Sequence, residues 1–228
     1  VVFFGSFLSL YLIKLLMKPR KVAKEWHSPA HRGGFSAITI TVLLFAYLAI
    51  YEDRTFAKVL FWIAAPLQLY FSCTAVADWI KYPQDIDLAG PNMLIPVVGP
   101  LVASMLVPQL DADPTNSRYY EFGWLFFSFA LLMWVVLLTI SLYRVIFRGK
   151  IADDMRPSLW VYLAAPCVAC SAYVALNLGK WDNFAKILFY IGICFFFVLA
   201  RLTVGAFFGR PAFNMSAYCA PSLPAMIS

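Results

Sequence analysis

Long apolar runs separated by short polar loops dominate this chain of 228 residues. A helix needs about 20 predominantly apolar residues to cross the hydrocarbon core of a bilayer. Eight runs approach or exceed that length, and we name them stretches A to H: Val1–Met17, Phe35–Tyr51, Phe56–Ile80, Met93–Val107, Tyr119–Phe147, Leu159–Leu178, Phe184–Val204 and Ala212–Ser228. They predict an all-α, polytopic transmembrane bundle, with residues 1–228 forming a single transmembrane domain.

Composition agrees with this prediction. Hydrophobic residues make up 62% of the chain and charged residues 13%, against about 45–50% and about 25% in soluble domains. An ordinary soluble enzyme, a disordered chain and a secreted disulfide scaffold are therefore excluded. The expected partner is the lipid bilayer. We expect a multi-pass protein of a plasma or bacterial inner membrane, with an organelle membrane as the alternative.

The net charge of +6 does not indicate nucleic-acid binding, because the basic residues lie in loops between apolar stretches. Most of them fall in alternate loops, A–B, C–D, E–F and G–H. Cytoplasmic loops of membrane proteins are enriched in Lys and Arg. We therefore expect these four loops to face the cytoplasm or the corresponding internal compartment.

Both ends of the sequence look cut. Stretch A begins without a start methionine or flanking polar residues, and stretch H stops within an apolar run at Ser228. We therefore expect the chain to be part of a longer protein.

Prolines fall within every second stretch from D onwards: Pro96 and Pro100 in D, Pro166 in F, and Pro221 and Pro224 in H. A proline removes one backbone N–H, and irregular backbone is tolerated at membrane depth only inside protein or along a wet cavity. This pattern predicts broken inner helices B, D, F and H around a pore, with outer helices A, C, E and G around them. The alternative is that each proline is a packing kink without a pore.

No ionisable Asp, Glu, His, Lys or Arg occupies the middle of stretches B, D, F, G or H. Proton-driven transporters usually carry such a group, so its absence favours a passive conduit. The five cysteines lie in apolar surroundings, and Cys167 and Cys170 lack a second pair or a nearby histidine for a metal site. No phosphate loop, nucleophile elbow or zincin motif is present. We therefore predict no enzyme activity, no metal and no cofactor.

Five segments, in order, resemble the tellurite-resistance/C4-dicarboxylate transporter family, which includes the plant slow-type anion channels. They are Glu25–Pro29, Pro96–Ala103, Leu163–Ala172, Phe197–Arg201 and Ala217–Pro221. The resemblance implies ten helices in five hairpins, a central pore lined by the odd helices, and a homotrimer. Stretches A to H would then be the second to ninth helices, so about eight of the ten are present.

The same resemblance points to site residues. Pores of this family are typically occluded by phenylalanine rings on kinked helices, and the corresponding positions here are Leu101, Tyr162 and Ala220. We expect these three residues to form the constriction. Pro96, Gly99, Pro100, Pro166 and Pro221 are the expected helix breaks that line the pore.

Three functions remain open at this point. The first is a passive channel for small anions through a pore in each protomer. The second is a proton-coupled transporter of a dicarboxylate or sulfite. The third is a structural or accessory membrane subunit with a degenerate pore, because a Phe-to-Ala difference at Ala220 alters the occlusion.

Overall fold

The computed structural model describes residues 29–111, 119–148 and 158–207. Within these ranges the chain forms six α-helices and no strand: α1 (Pro29–Ala49), α2 (Arg54–Lys81), α3 (Ile95–Leu110), α4 (Tyr120–Phe147), α5 (Val161–Leu176) and α6 (Asn183–Phe207). Two short 3₁₀ turns, Ile86–Leu88 and Pro91–Leu94, lead into α3. Stretches A and H lie outside the described residues.

The six helices coincide with stretches B to G, so the predicted all-helical membrane bundle is confirmed. Five segments are long and apolar enough to cross a bilayer: Arg54–Lys81, Pro91–Leu110, Tyr120–Phe147, Ser158–Leu176 and Asn183–Leu202. The apolar part of α1, Phe35–Ala49, is shorter. The length of an apolar run is a local property, which is why the helices could be located from sequence alone.

Several helix ends carry recognisable caps. The Asp53 carboxylate accepts hydrogen bonds from the backbone N–H groups of Thr55 and Phe56 at the start of α2, at 2.7 and 3.3 Å. Such side chains satisfy N–H groups that have no partner within the helix. At the end of α5, Leu178 and Gly179 adopt positive φ values of 54° and 81°.

Asp182 caps α6 in the same way. Its carboxylate accepts from the backbone N–H groups of Ala185 and Phe184, both at 3.0 Å, and from the Tyr173 hydroxyl at 2.7 Å. These bonds, that of Ala185 foremost, lower the pKa of Asp182 below its ordinary value. All three donors favour the ionised carboxylate.

Consecutive helices run in opposite directions, as contacts at their ends show. At one end of the bundle, Lys58 near the start of α2 pairs with Asp111 just after α3, and the Tyr120 hydroxyl in α4 donates to the carbonyl of Leu176 in α5. At the other end, Arg144 in α4 donates to the carbonyl of Asp87, ahead of α3. This up-and-down order agrees with the predicted hairpins.

Burial distinguishes α3 and α5 from the other described helices. In the apolar 18-residue segment of Pro91–Leu110, 83% of the residues are buried, and in that of Ser158–Leu176, 56% are. The corresponding fractions are 33% in α2, 33% in α4 and 22% in α6. Helix α3 packs against α1, α2, α4 and α5. The stretches D and F that we expected inside the bundle are therefore its most buried helices.

The prolines do not divide these helices. Helix α3 continues through Pro100 and Pro108, and α5 continues through Pro166. The outer helix α2 likewise continues through Pro66, so proline alone does not distinguish inner helices from outer ones. Each proline removes a single backbone hydrogen bond, and the surrounding turns preserve the helix.

Candidate pore and buried polar cluster

Leu101 lies on α3 and is completely buried in the hydrophobic core of the bundle. It follows Pro100, which is also completely buried. Both residues lie on the helix with the most packing partners, because α3 contacts four of the other described helices. The described residues place Leu101 among tightly packed side chains, and its role as part of a constriction stays a prediction.

Tyr162 lies at the first turn of α5 and is 2% exposed. A hydrogen bond of 2.5 Å joins its hydroxyl to the Ser141 hydroxyl of the outer helix α4. Its ring lies 6.2 Å from that of Phe195 on α6. Tyr162 therefore links α5 to both outer neighbours, and its predicted place in a constriction also stays a prediction.

The other expected site residues divide into two groups. Pro96, Gly99 and Pro166 are buried within α3 and α5. Ala220 and Pro221 lie outside the described residues. The structure therefore brings Pro96, Gly99, Pro100 and Leu101 together on one helix, while the predicted ring that combines Leu101, Tyr162 and Ala220 remains an expectation.

A polar cluster that the sequence analysis missed lies beside Gly99. Gln68 of α2 is completely buried. Its Nε2 donates to the Ser36 hydroxyl of α1 at 2.7 Å and to the Pro96 carbonyl of α3 at 3.0 Å. Its Oε1 accepts from the Thr39 hydroxyl of α1. One amide side chain thus joins three helices.

A signal for this cluster was present in the sequence. Gln68 lies at the centre of a long apolar stretch, and Ser72 follows one helical turn later. An amide at membrane depth costs several kcal/mol unless it is hydrogen-bonded. A glutamine at this position therefore predicts a hydrogen-bonding partner on a neighbouring helix. Gln68 was missed because only ionisable residues were considered at membrane depth.

The buried polar side chains of the described residues are all uncharged: Ser36, Thr39, Gln68, Ser72, Ser104, Ser141 and Ser158. Among residues 35–87, 89–111, 119–148 and 158–202, no carboxylate, amine or guanidinium side chain is buried. The ion pair between Lys58 and Asp111 lies at the end of the bundle, with the two side chains 39% and 23% exposed. The interior of the described bundle therefore contains neutral hydrogen-bonding groups only.

Cys167 and Cys170 both lie on α5, and their side chains face α6. The Cys170 thiol donates to the Ala185 carbonyl at 3.5 Å, and the Cys167 sulfur lies 3.2 Å from where a Cβ of Gly192 would stand. Across the described ranges, no group of three His, Cys, Asp or Glu side chains is arranged to hold a metal ion. Both thiols serve helix packing in this structure.

These observations define an integral, multi-pass helical membrane protein with proline-containing inner helices and a neutral interior. Residues 1–221 match the SLAC1 family, described as voltage-dependent anion channel. The chain belongs to this family, and the resemblance noted from its motifs is confirmed.

Two relatives illustrate the breadth of the family. The chain is similar to the tellurite resistance protein TehA homolog of Haemophilus influenzae, with 28% identity over 197 residues, which cover 86% of this chain and 58% of the relative. It is also similar to the S-type anion channel SLAH3 of Arabidopsis thaliana, with 25% identity across 96% of this chain and 34% of the relative. The chain thus spans only part of each relative's length. The family includes anion channels and transporters.

Proposed function

We propose that this protein is a passive channel that conducts small anions through a pore in each protomer of a homotrimer. The observation that carries the proposal is the neutral interior of the described helices, in which every buried polar side chain is uncharged. A conduit that moves anions down their gradient needs no titratable relay, whereas a proton-coupled carrier usually has one.

Selectivity for anions is expected to come from the basic loops. Lys81, Arg144, Arg148 and Arg201 lie at or near the helix ends that we assign to the internal side. Positive charge around a mouth concentrates anions there and speeds their entry. The N–H groups exposed at interrupted helices would be a second source of anion selectivity. Because α3 and α5 continue through their prolines, the proposal rests on the loops.

The test is to record currents from the full-length protein in planar bilayers with a salt gradient. We expect a reversal potential close to that of the anion, and no change in it when a pH gradient is added. Cation-selective currents would overturn the proposal. Uptake of malate or sulfite that requires a pH gradient would favour the coupled transporter instead.

The constriction has its own prediction. Leu101, Tyr162 and Ala220 remain the proposed narrowest ring, closed by dewetting of apolar side chains. Replacing Ala220 with Phe adds a ring to that site, so Ala220→Phe is expected to lower unitary conductance. Ala220→Val, which adds far less volume, serves as the matched control. Unchanged conductance in Ala220→Phe would remove Ala220 from the pore.

One observation fits the third function as well as the first. Leu101 is completely buried and Tyr162 is nearly so, as expected both of a closed constriction and of a protein that keeps the fold and has lost its pore. In an accessory subunit of this kind, the purified protein would be folded and would pass no current. Association with a different membrane protein in a stable complex would then identify its role.

A further inference from the structure

The amide of Gln68 lies where an apolar side chain would be expected. It is at the middle of α2 and completely buried, in a region where water cannot satisfy its donors. An unpaired amide in hydrocarbon costs several kcal/mol. Its position therefore requires partners from neighbouring helices, and the structure provides them.

The main partner is a carbonyl that proline leaves without its usual donor. In a helix, the carbonyl of residue 96 would accept from the N–H of residue 100, but Pro100 has none. Gln68 Nε2 donates to this Pro96 carbonyl at 3.0 Å, and the Ser72 hydroxyl donates to it at 2.5 Å. Helix α2 thus supplies hydrogen bonds to the one carbonyl of α3 that Pro100 leaves without its usual donor.

The same amide also holds α1. Its Nε2 donates to the Ser36 hydroxyl at 2.7 Å, and its Oε1 accepts from Thr39. The Thr39 hydroxyl lies 2.9 Å from the Ser36 carbonyl as well. Helices α1, α2 and α3 therefore meet at one side chain, at the level of the proline turn.

Glycine makes this approach possible. A Cβ at position 99 would stand 2.1 Å from Gln68 Nε2 and 2.5 Å from its Cδ, far inside van der Waals contact. Any larger residue at position 99 would push the amide away from the Pro96 carbonyl. Gly99 and Gln68 therefore form a matched pair across the α2–α3 interface.

We propose that Gln68 is a positioning residue for the conduction pathway: it holds the Pro100 turn of α3 against α1 and α2 and thereby sets the position of Leu101. This inference rests on the proposed function, because Leu101 belongs to the proposed constriction. Without the amide, the Pro96 carbonyl loses a donor from α2, and α3 gains freedom to bend at its weakest turn.

The first test replaces Gln68 with Met, which has a similar length and no amide. Gln109→Met is the matched control, because among the described residues the Gln109 amide donates within α3 alone, to the Met105 carbonyl at 3.4 Å. In planar bilayers with the full-length protein, Gln68→Met is expected to shift the unitary conductance beyond the wild-type spread, and Gln109→Met is not. Wild-type conductance in folded Gln68→Met protein would overturn the positioning role.

A second measurement separates this inference from the proposed function. Amide hydrogen exchange of α3 does not depend on current. We expect exchange in α3 to be about tenfold faster in Gln68→Met than in Gln109→Met, as for the loss of one net hydrogen bond. If the wild type passes no current, the proposed function fails and exchange alone decides the positioning role. Equal exchange in the two variants would overturn it.

The matched pair allows a check that does not rely on Met as a mimic. Gly99→Ala is expected to lower the Tm of the wild type, because its Cβ displaces Gln68. In a Gln68→Ala background the three atoms nearest to that Cβ are absent, and its effect on Tm should be much smaller. Equal shifts in both backgrounds would contradict the contact on which the inference depends.

Discussion

The hydrogen bond between Ser141 and Tyr162 can be tested by removing each partner in turn. It joins α4 to α5 at a distance of 2.5 Å, and both side chains are buried, at 2% exposure each. Two variants delete it in different ways. Tyr162→Phe removes the phenol oxygen and keeps the ring, whereas Ser141→Ala removes the alcohol and leaves the phenol in place.

The two deletions have unequal costs because the remaining groups have different alternatives. In Tyr162→Phe, the Ser141 hydroxyl can turn to a carbonyl of its own helix. The free energy of unfolding then falls by close to the average of about 0.6 kcal/mol for hydrogen bonds between membrane helices. In Ser141→Ala, the phenol is left buried without a partner, which costs about 1–3 kcal/mol. We therefore expect Ser141→Ala to be the more destabilising change.

Equilibrium unfolding in mixed detergent micelles would measure both free energies. Thr139→Val is the matched control, because the Thr139 hydroxyl on the exposed face of α4 donates only to the Val135 carbonyl, at 2.9 Å. We expect the control to stay within about 0.5 kcal/mol of the wild type. The reasoning is refuted if Ser141→Ala costs no more than Tyr162→Phe, or if the double variant is additive.

Three further changes test other features of the fold. Leu178 has a positive φ of 54°, so Leu178→Gly should leave the unfolding free energy unchanged or raise it by up to about 1 kcal/mol; a loss would show that this conformation is unstrained. Among the described residues the buried indole N–H of Trp134 has no partner, so Trp134→Phe should cost only the packing lost with the smaller ring, about 1–3 kcal/mol; a loss above about 5 kcal/mol would show that a hydrogen bond was lost as well. The folded-state pKa of Asp182 is lowered, so its contribution to stability is present above the unfolded pKa and is lost as pH falls through the folded value. Thermal melts from pH 7 to pH 3 should therefore show a smaller acid-induced fall in Tm for Asp182→Asn than for the wild type, and parallel falls would contradict the capping role.

The membrane class, six of the eight apolar stretches and the family could be predicted from the sequence. Each of these features depends on the residues of individual segments and on their order in the chain, not on tertiary contacts. An apolar run longer than the bilayer core predicts a helix regardless of its neighbours. The motifs Pro96–Ala103 and Leu163–Ala172 lie on the two most buried of the five candidate spans, although proline alone did not identify them, since the outer helix α2 contains Pro66. The motifs were sufficient for the family because their order and spacing are properties of the chain.

The interpretation of the prolines was less successful. Sequence reasoning treated Pro100 and Pro166 as interruptions, yet both helices continue through them. A proline predicts that one carbonyl loses its donor, but it does not predict whether another helix supplies a replacement. For Pro100 the replacement comes from Gln68 and Ser72 of α2, 32 and 28 positions earlier in the chain.

Local chemistry in the sequence determined which segments lie in the membrane and how often their direction reverses. The tertiary structure decided which faces meet, because side-chain pairing depends on helix rotation and register that no apolar pattern encodes. It placed Gln68 opposite a carbonyl that Pro100 had deprived of a donor, and Tyr162 against Ser141. In a solvent without hydrogen bonds, the polar groups must find one another, and only the packed helices determine the pairs.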